Sequence, residues 1–161
     1  MTEEQRKVPA LRFAGFTGDW VEKKLEKILT VNSGKDYKGL GKGSIPVYGT
    51  GGYILSVDDK LSDEDAVGIG RKGTIDKPFF LKAPFWTVYT LFYLTSKPGN
   101  DIHFILQLAN MIKWKKYDES TGVPSLSKVN INKITIGVLN LEEQTKIADT
   151  LTKLDTTISL Q

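Results

Sequence analysis

Nine basic residues form three clusters: Lys35, Lys38 and Lys42, then Arg71 and Lys72, then Lys113, Lys115, Lys116 and Lys128. Interleaved with them are Ser33, Ser44, Thr50, Thr74, Ser125, Ser127 and Asn130. Lysine and arginine neutralise phosphates, while hydroxyls and amides fix the register of a polyanion. Arg71 is the sole arginine after Arg12. Its planar fork matches guanine O6 and N7 in a way lysine copies poorly, which makes it the candidate for reading a base. An ion pair with the acidic turn at residues 58–65 is the competing role. Trp114 and Tyr117 flank the Lys115-Lys116 pair, either as core anchors at a helix end or as platforms for stacked bases. Anchoring is the commoner use of such aromatics.

No constellation for catalysis accompanies these groups. The single histidine, His103, has neither cysteine nor a second histidine to share a metal, so no metal site is expected. No G-x-S-x-G elbow is present. Gly41-Lys42 is followed by Gly43 instead of serine or threonine, and Asp36 stands where a phosphate loop needs its first glycine. Glu22-Lys23-Lys24 matches an E-x-K found in nucleases, a triplet close to background frequency and without a convincing aspartate partner. The glycines instead suit turns and close backbone approaches. Recognition, not turnover, is the expected chemistry.

The 161 residues carry a net charge of +3 that is unevenly spread. Residues 83–140 hold six basic against three acidic groups, whereas residues 141–161 hold two against four. Such an imbalance permits nucleic-acid binding, although a solvated basic face would look the same. Composition is that of a globular domain, with 40% apolar and 25% charged residues. The chain has no cysteine and no apolar run long enough for a membrane span, so a cytoplasmic location is expected.

These groups need elements to position them. Asp19 with Glu22 fits a capping box for a helix over residues 20–29, though a short strand and turn fit equally. Residues 32–44 read as an exposed basic loop, and 45–48 as a strand ended by Gly49-Thr50-Gly51-Gly52. Residues 66–69 are strand-like and lead into the turn Arg71-Lys72-Gly73-Thr74. Residues 86–95 alternate cleanly and are aromatic or β-branched on both faces, which predicts one strand in the middle of a sheet. Asn100 or Asp101 caps a helix to about residue 113 with Ile105, Leu108, Ala109 and Ile112 as its core stripe. Ile134, Ile136 and Val138 form an inward strand face. Asn140 and Glu143 then cap a final helix whose Ile147, Leu151, Leu154 and Ile158 are spaced as a heptad seam. At 1.5 Å per residue, residues 141–161 would span about 31 Å. Strands and helices without a βαβ rhythm predict an α+β domain with one projecting helix.

Four stretches together resemble the specificity subunit of bacterial type I restriction–modification systems. They are VPALRFAGFTGDW at residues 8–20, IPVYGTGGY at 45–53, IGRKGTIDKP at 69–78, and the block from Trp114 through TGVPSLSK to LEEQTKIADTLTKLD. The resemblance covers nearly the whole chain. It implies a mixed-sheet DNA target recognition domain over residues 1–139 and a coiled-coil-type helix for docking or dimerisation over 140–161. It also implies a sequence-specific DNA-binding specificity subunit, or half of one, which reads half of a bipartite double-stranded site without catalysis of its own. In that family a complete subunit holds two such domains spaced by paired helices. The implied partners are methyltransferase and restriction subunits, to which S-adenosylmethionine, ATP and Mg²⁺ would belong, and a second copy through the terminal helix. An assembly module that has lost DNA affinity is the alternative. Inside residues 86–93, Tyr89 occupies a position where the family often has an acidic residue.

Overall fold

A computed structural model describes residues 20–159, with side chains through residue 156. Asp19, most of the 8–20 motif, the first 19 residues of the expected 1–139 domain, the side chain of Ile158 and the last two residues lie outside the described part. The ambiguous segment after Trp20 resolves as strand: β1 (Val21–Lys24), a 3₁₀ turn over Leu25–Lys27, and β2 (Leu29–Asn32). Tertiary pairing decides against the helix, because Leu25 N–H donates to Ile134 O at 2.8 Å and Ile28 O accepts from Lys97 N–H at 2.8 Å.

A long hairpin follows, β3 (Lys42–Gly49) and β4 (Gly52–Val57), paired from Gly49↔Gly52 back to Ile45↔Val57 with a register shift between Val47 and Tyr48. Thr50 and Gly51 form its tip. Next come β5 (Ala66–Gly70), buried throughout, and the short β6 (Phe79–Leu81). The single strand expected over residues 86–95 is a correction: the chain makes β7 (Trp86–Thr87), turns, and resumes as β8 (Leu91–Ser96). Leu91 N–H closes the turn on Val88 O at 3.0 Å. Each half joins a different sheet, which alternation along the sequence cannot reveal. β7 runs parallel to β3 in the three-stranded order β4-β3-β7, while β8 lies inside the four-stranded order β2-β8-β5-β6. Among the described residues all other pairings are antiparallel.

Helix α1 (Ile102–Met111) covers the four-stranded sheet. Asp101 caps it, its carboxylate accepting the N–H groups of His103 at 2.8 Å and Phe104 at 3.0 Å, a cap contributing about 1 kcal/mol. Ile105 and Ala109 enter the main core with Leu25, Val67, Phe92, Leu94, Ile131 and Trp114; Leu108 and Ile112 pack at its margin. A 3₁₀ turn (Trp114–Tyr117), a loop and the unanticipated α2 (Lys128–Lys133) lead to β9 (Thr135–Val138), which pairs with β1.

The last helix, α3 (Leu141–Ser159), starts as expected, with Asn140 Oδ1 accepting Glu143 N–H at 2.9 Å. Its root is bolted to α1. Buried Gln144 accepts Asp101 N–H at 3.0 Å and donates to Leu139 O at 2.8 Å and Asn100 Oδ1 at 3.3 Å. Ala148 and Ile147 pack beside Phe104, Leu139, Trp20 and Leu108. The architecture is α+β, with one mixed sheet, two antiparallel ones and a C-terminal helix.

Candidate nucleic-acid interface

The break between β7 and β8 is where the separate basic segments meet. Gly34 makes the first approach possible: a Cβ there would lie 1.9 Å from Val88 O, so only glycine lets the two backbones touch. Lys35 is pinned beside it, its N–H donating to Thr87 O at 2.9 Å and its carbonyl accepting the Trp86 indole N–H at 2.8 Å. Its ammonium end is left exposed. Val88 N–H donates to Tyr48 O at 3.1 Å, and Gly49 lies against Val88, so the hairpin tip with Thr50 is drawn to the same place.

Arg71 N–H donates to Thr90 O at 2.7 Å from the other side of the break. Gly70 permits the tight turn, since a Cβ would meet Thr74 O at 1.8 Å. The Arg71 guanidinium sits 5.5 Å from the centre of the Phe92 ring, and Arg71, Lys72 and Thr74 are all exposed. Among the described residues Arg71 has no carboxylate partner, so the ion pair with residues 58–65 does not form. The 118–126 loop lies across this turn through Gly73 N–H to Pro124 O at 2.9 Å and Leu126 N–H to Arg71 O at 2.8 Å, with a bridge pairing Lys72 and Ser125.

Asp118 organises that loop. One carboxylate oxygen accepts the N–H groups of Ser125 and Ser120, both at 3.0 Å, and the Ser120 hydroxyl at 3.1 Å. The Ser125 amide is the foremost cause, with Ser120, that holds the Asp118 carboxyl below its ordinary pKa. A lowered folded pKa means these bonds are intact above the ordinary aspartate value and disappear as pH falls through the folded one. Amide exchange at Ser120 and Ser125 should therefore accelerate selectively in acid, and in Asp118→Ala at neutral pH. Equal protection in the variant would remove Asp118 from this role.

The remaining expected residues are dispersed. Lys115 Nζ lies 3.4 Å from Asp76 Oδ2, an exposed pair that contributes about 0–1 kcal/mol and leaves the lysine able to exchange partners. Lys113 and Lys116 are exposed around the 3₁₀ turn rooted by Trp114, and Lys128 opens α2. Lys38 and Lys42 border an open groove of about 540 Å³ with Tyr37, Leu40, Leu55 and Val57. The Ser127 hydroxyl donates to Glu119 Oε1 at 2.5 Å and accepts Asn130 N–H at 3.2 Å as the cap of α2. Its single proton is thus used inside the chain.

Trp114 and Tyr117 join the main core, as anchors and not as platforms. His103 stacks on Phe80 at 4.8 Å. The heptad seam divides: Ile147 packs within the domain, Leu151 is half-buried, and Leu154 is 53% exposed. Sequence-based expectations omitted two residues. Asp118 could have been found as an aspartate with serine two positions on, the signature of a local turn. Tyr89 sits at the apex of the β7–β8 turn, a position visible only once the strand is known to break. Among the described residues no helix is long and apolar enough to cross a membrane.

The family model described as the type I restriction modification DNA specificity domain matches residues 17–161. A search of curated proteins finds no match. Among solved structures, the S subunit of the type-I restriction-modification system from M. genitalium superposes with a TM-score of 0.71 at 15% identity, covering 94% of this chain and 42% of that one. A structure described as the basis of complex assembly and conformational transition of the type I R-M system gives 0.69 at 13% identity, covering 98% and 43%. The HsdS subunit from Thermoanaerobacter tengcongensis gives 0.65 at 14%, covering 98% and 42%. This chain thus spans 42–43% of the length of those three. At such identities the likeness speaks for the fold, while the match over residues 17–161 speaks for kinship. The chain belongs to the type I restriction–modification DNA specificity domain family.

Proposed function

We propose that this chain reads one half of a bipartite site in double-stranded DNA, as a specificity subunit or half-subunit of a type I restriction–modification complex. The observation that carries the reading is the gathering of Lys35, Thr50, Arg71, Lys72, Thr74 and Ser125 around one sheet junction, from segments up to 90 residues apart. Basic ends reach solvent there while the backbones that bear them are hydrogen-bonded to one another. Phosphates can be neutralised and base edges approached without ordering a loop first. The domain recognises and does not react; S-adenosylmethionine, ATP and Mg²⁺ act in the methyltransferase and restriction subunits that it directs. α3 supplies the docking arm, for those subunits or for a second copy of the chain, in the cytoplasm.

Binding to a cognate duplex should weaken steeply with salt. Phosphate contacts from Lys35, Lys72 and Lys115 alone give a log–log slope of about −2.7. Lys115→Ala should lower affinity for every sequence alike and flatten the slope by about one phosphate's worth. Arg71→Ala should instead relax preference at one position, at about 1–3 kcal/mol for a bidentate contact. Binding isotherms on cognate and singly mismatched duplexes separate the two. Salt-independent or undetectable binding with the methyltransferase subunit present would overturn the DNA reading and leave the assembly role.

A further inference from the structure

The geometry points to Tyr89 as a specificity-determining residue that enters a DNA groove between Arg71 and Lys35 and contacts a base. This inference rests on the DNA-binding reading above and adds to it a contact made by an uncharged ring.

Tyr89 is 59% exposed at the tip of a three-residue turn. That turn is held rigidly. Thr87 O accepts Lys35 N–H, Val88 N–H donates to Tyr48 O, Thr90 O accepts Arg71 N–H, and Leu91 N–H closes back on Val88 O. Every residue of the turn except Tyr89 itself is thereby tied by its backbone to a neighbouring segment. The tightness of the Gly34 approach to Val88 O adds a steric stop behind it. The ring therefore projects from a fixed base, which lowers the conformational entropy lost on contact.

Tyr53 is also exposed, but its hydroxyl is bonded to Ser56 Oγ at 2.9 Å and its ring meets Tyr48 edge-on at 6.3 Å. Among the described residues Tyr89 has no hydrogen-bond partner for its hydroxyl and no aromatic neighbour. A large apolar face on a turn whose flanks are bonded to the backbones of Lys35 and Arg71 has no intramolecular reason to stand out from the surface. Against a base pair it has two: the ring packs on base edges or thymine methyls, and the hydroxyl bonds a base-edge donor or acceptor. Lys35 and Lys72, carried on the segments bonded to either side of this turn and to Ser125, are the cations proposed to hold the flanking phosphates.

The test is selection of duplexes with a randomised half-site by the full chain bound to its methyltransferase subunit, followed by sequencing. The wild type, Tyr89→Ala, Tyr89→Phe and Arg71→Ala are compared. Tyr89→Ala should lose discrimination at one base pair by on the order of 10-fold, at a position distinct from that affected by Arg71→Ala. Tyr89→Phe keeps the preference if the ring reads and loses it if the hydroxyl does; either result upholds the assignment once the alanine variant has lost it. An unchanged preference in Tyr89→Ala, or an equal loss at every position, overturns the assignment alone. A wild type with no preference overturns the DNA reading and this inference with it. Thermal unfolding of Tyr89→Ala at the wild-type temperature shows that a loss is not one of folding, as expected for an exposed side chain. A lower midpoint assigns Tyr89 to the fold and overturns the proposal.

Discussion

Trp114→Ala is expected to lower the stability of the domain by about 3–5 kcal/mol, the cost of removing a large aromatic from a core that relaxes only partly. Trp114 is 1% exposed and packs in the same cluster as Ile105, Ala109, Leu126 and Ile131. Its indole N–H also donates to Ala109 O at 2.8 Å, satisfying a carbonyl near the end of α1. Truncation leaves a cavity and strips that acceptor together. Domains are stable by only about 5–15 kcal/mol, so the variant should sit near its unfolding midpoint in modest denaturant. Met111→Ala is the matched control, because Met111 is 79% exposed three residues away and surface changes stay within about 0.5 kcal/mol. Urea titrations of both variants decide the matter. A Trp114→Ala midpoint indistinguishable from that of Met111→Ala would mean the tryptophan is not the anchor described.

That anchor shows why parts of the fold were legible. α1 and α3 carry their own punctuation, Asp101 and Asn140 as caps with apolar residues at helical spacing, and both lie where expected. β5 and β9 likewise follow from short apolar or alternating runs. The failure at residues 86–95 has a definite physical origin. Alternation reports that both faces of a segment are covered, not by what, and two different sheets cover the two halves of this one. Glu22 and its neighbours became strand because β9, more than a hundred residues later, pairs with them. α2, at six residues, is too short for a periodic signal and depends on its Ser127 cap.

The candidate interface was legible in its parts and not in its assembly. Residue type alone indicated Lys35, Arg71 and Lys72. Their proximity depends on Gly34 and Gly70 admitting backbones that any side chain would repel, which no local pattern encodes. Ser127 looked like the other loop hydroxyls until its bond to Glu119 was seen. Tyr89 was hidden inside what looked like a continuous strand. Charge identifies candidates, whereas long-range backbone pairing decides which of them face one partner.

The same distinction governs α3, where Leu151→Asp combined with Leu154→Asp should abolish assembly while leaving the domain folded. The helix is about 28 Å long over its 19 residues. Its first two turns belong to the domain, through Gln144, Ile147 and Ala148. Beyond them Leu151 is half-buried and Leu154 exposed, so the changes fall past the bolted root. Burying two leucines against a partner helix contributes about 1.5–3 kcal/mol each, and a carboxylate in that seam adds a desolvation cost. Association should fall more than about 100-fold on that basis. Sedimentation of the chain with the methyltransferase subunit proposed above, and of the chain alone, would measure both modes of docking. Ile147→Asp makes the contrast: it should reduce thermal stability, since its charge would face Phe104 and Leu139 inside the domain. If the double variant assembles as the wild type does, the docking surface is not the outer half of α3; if it unfolds, the seam is internal throughout.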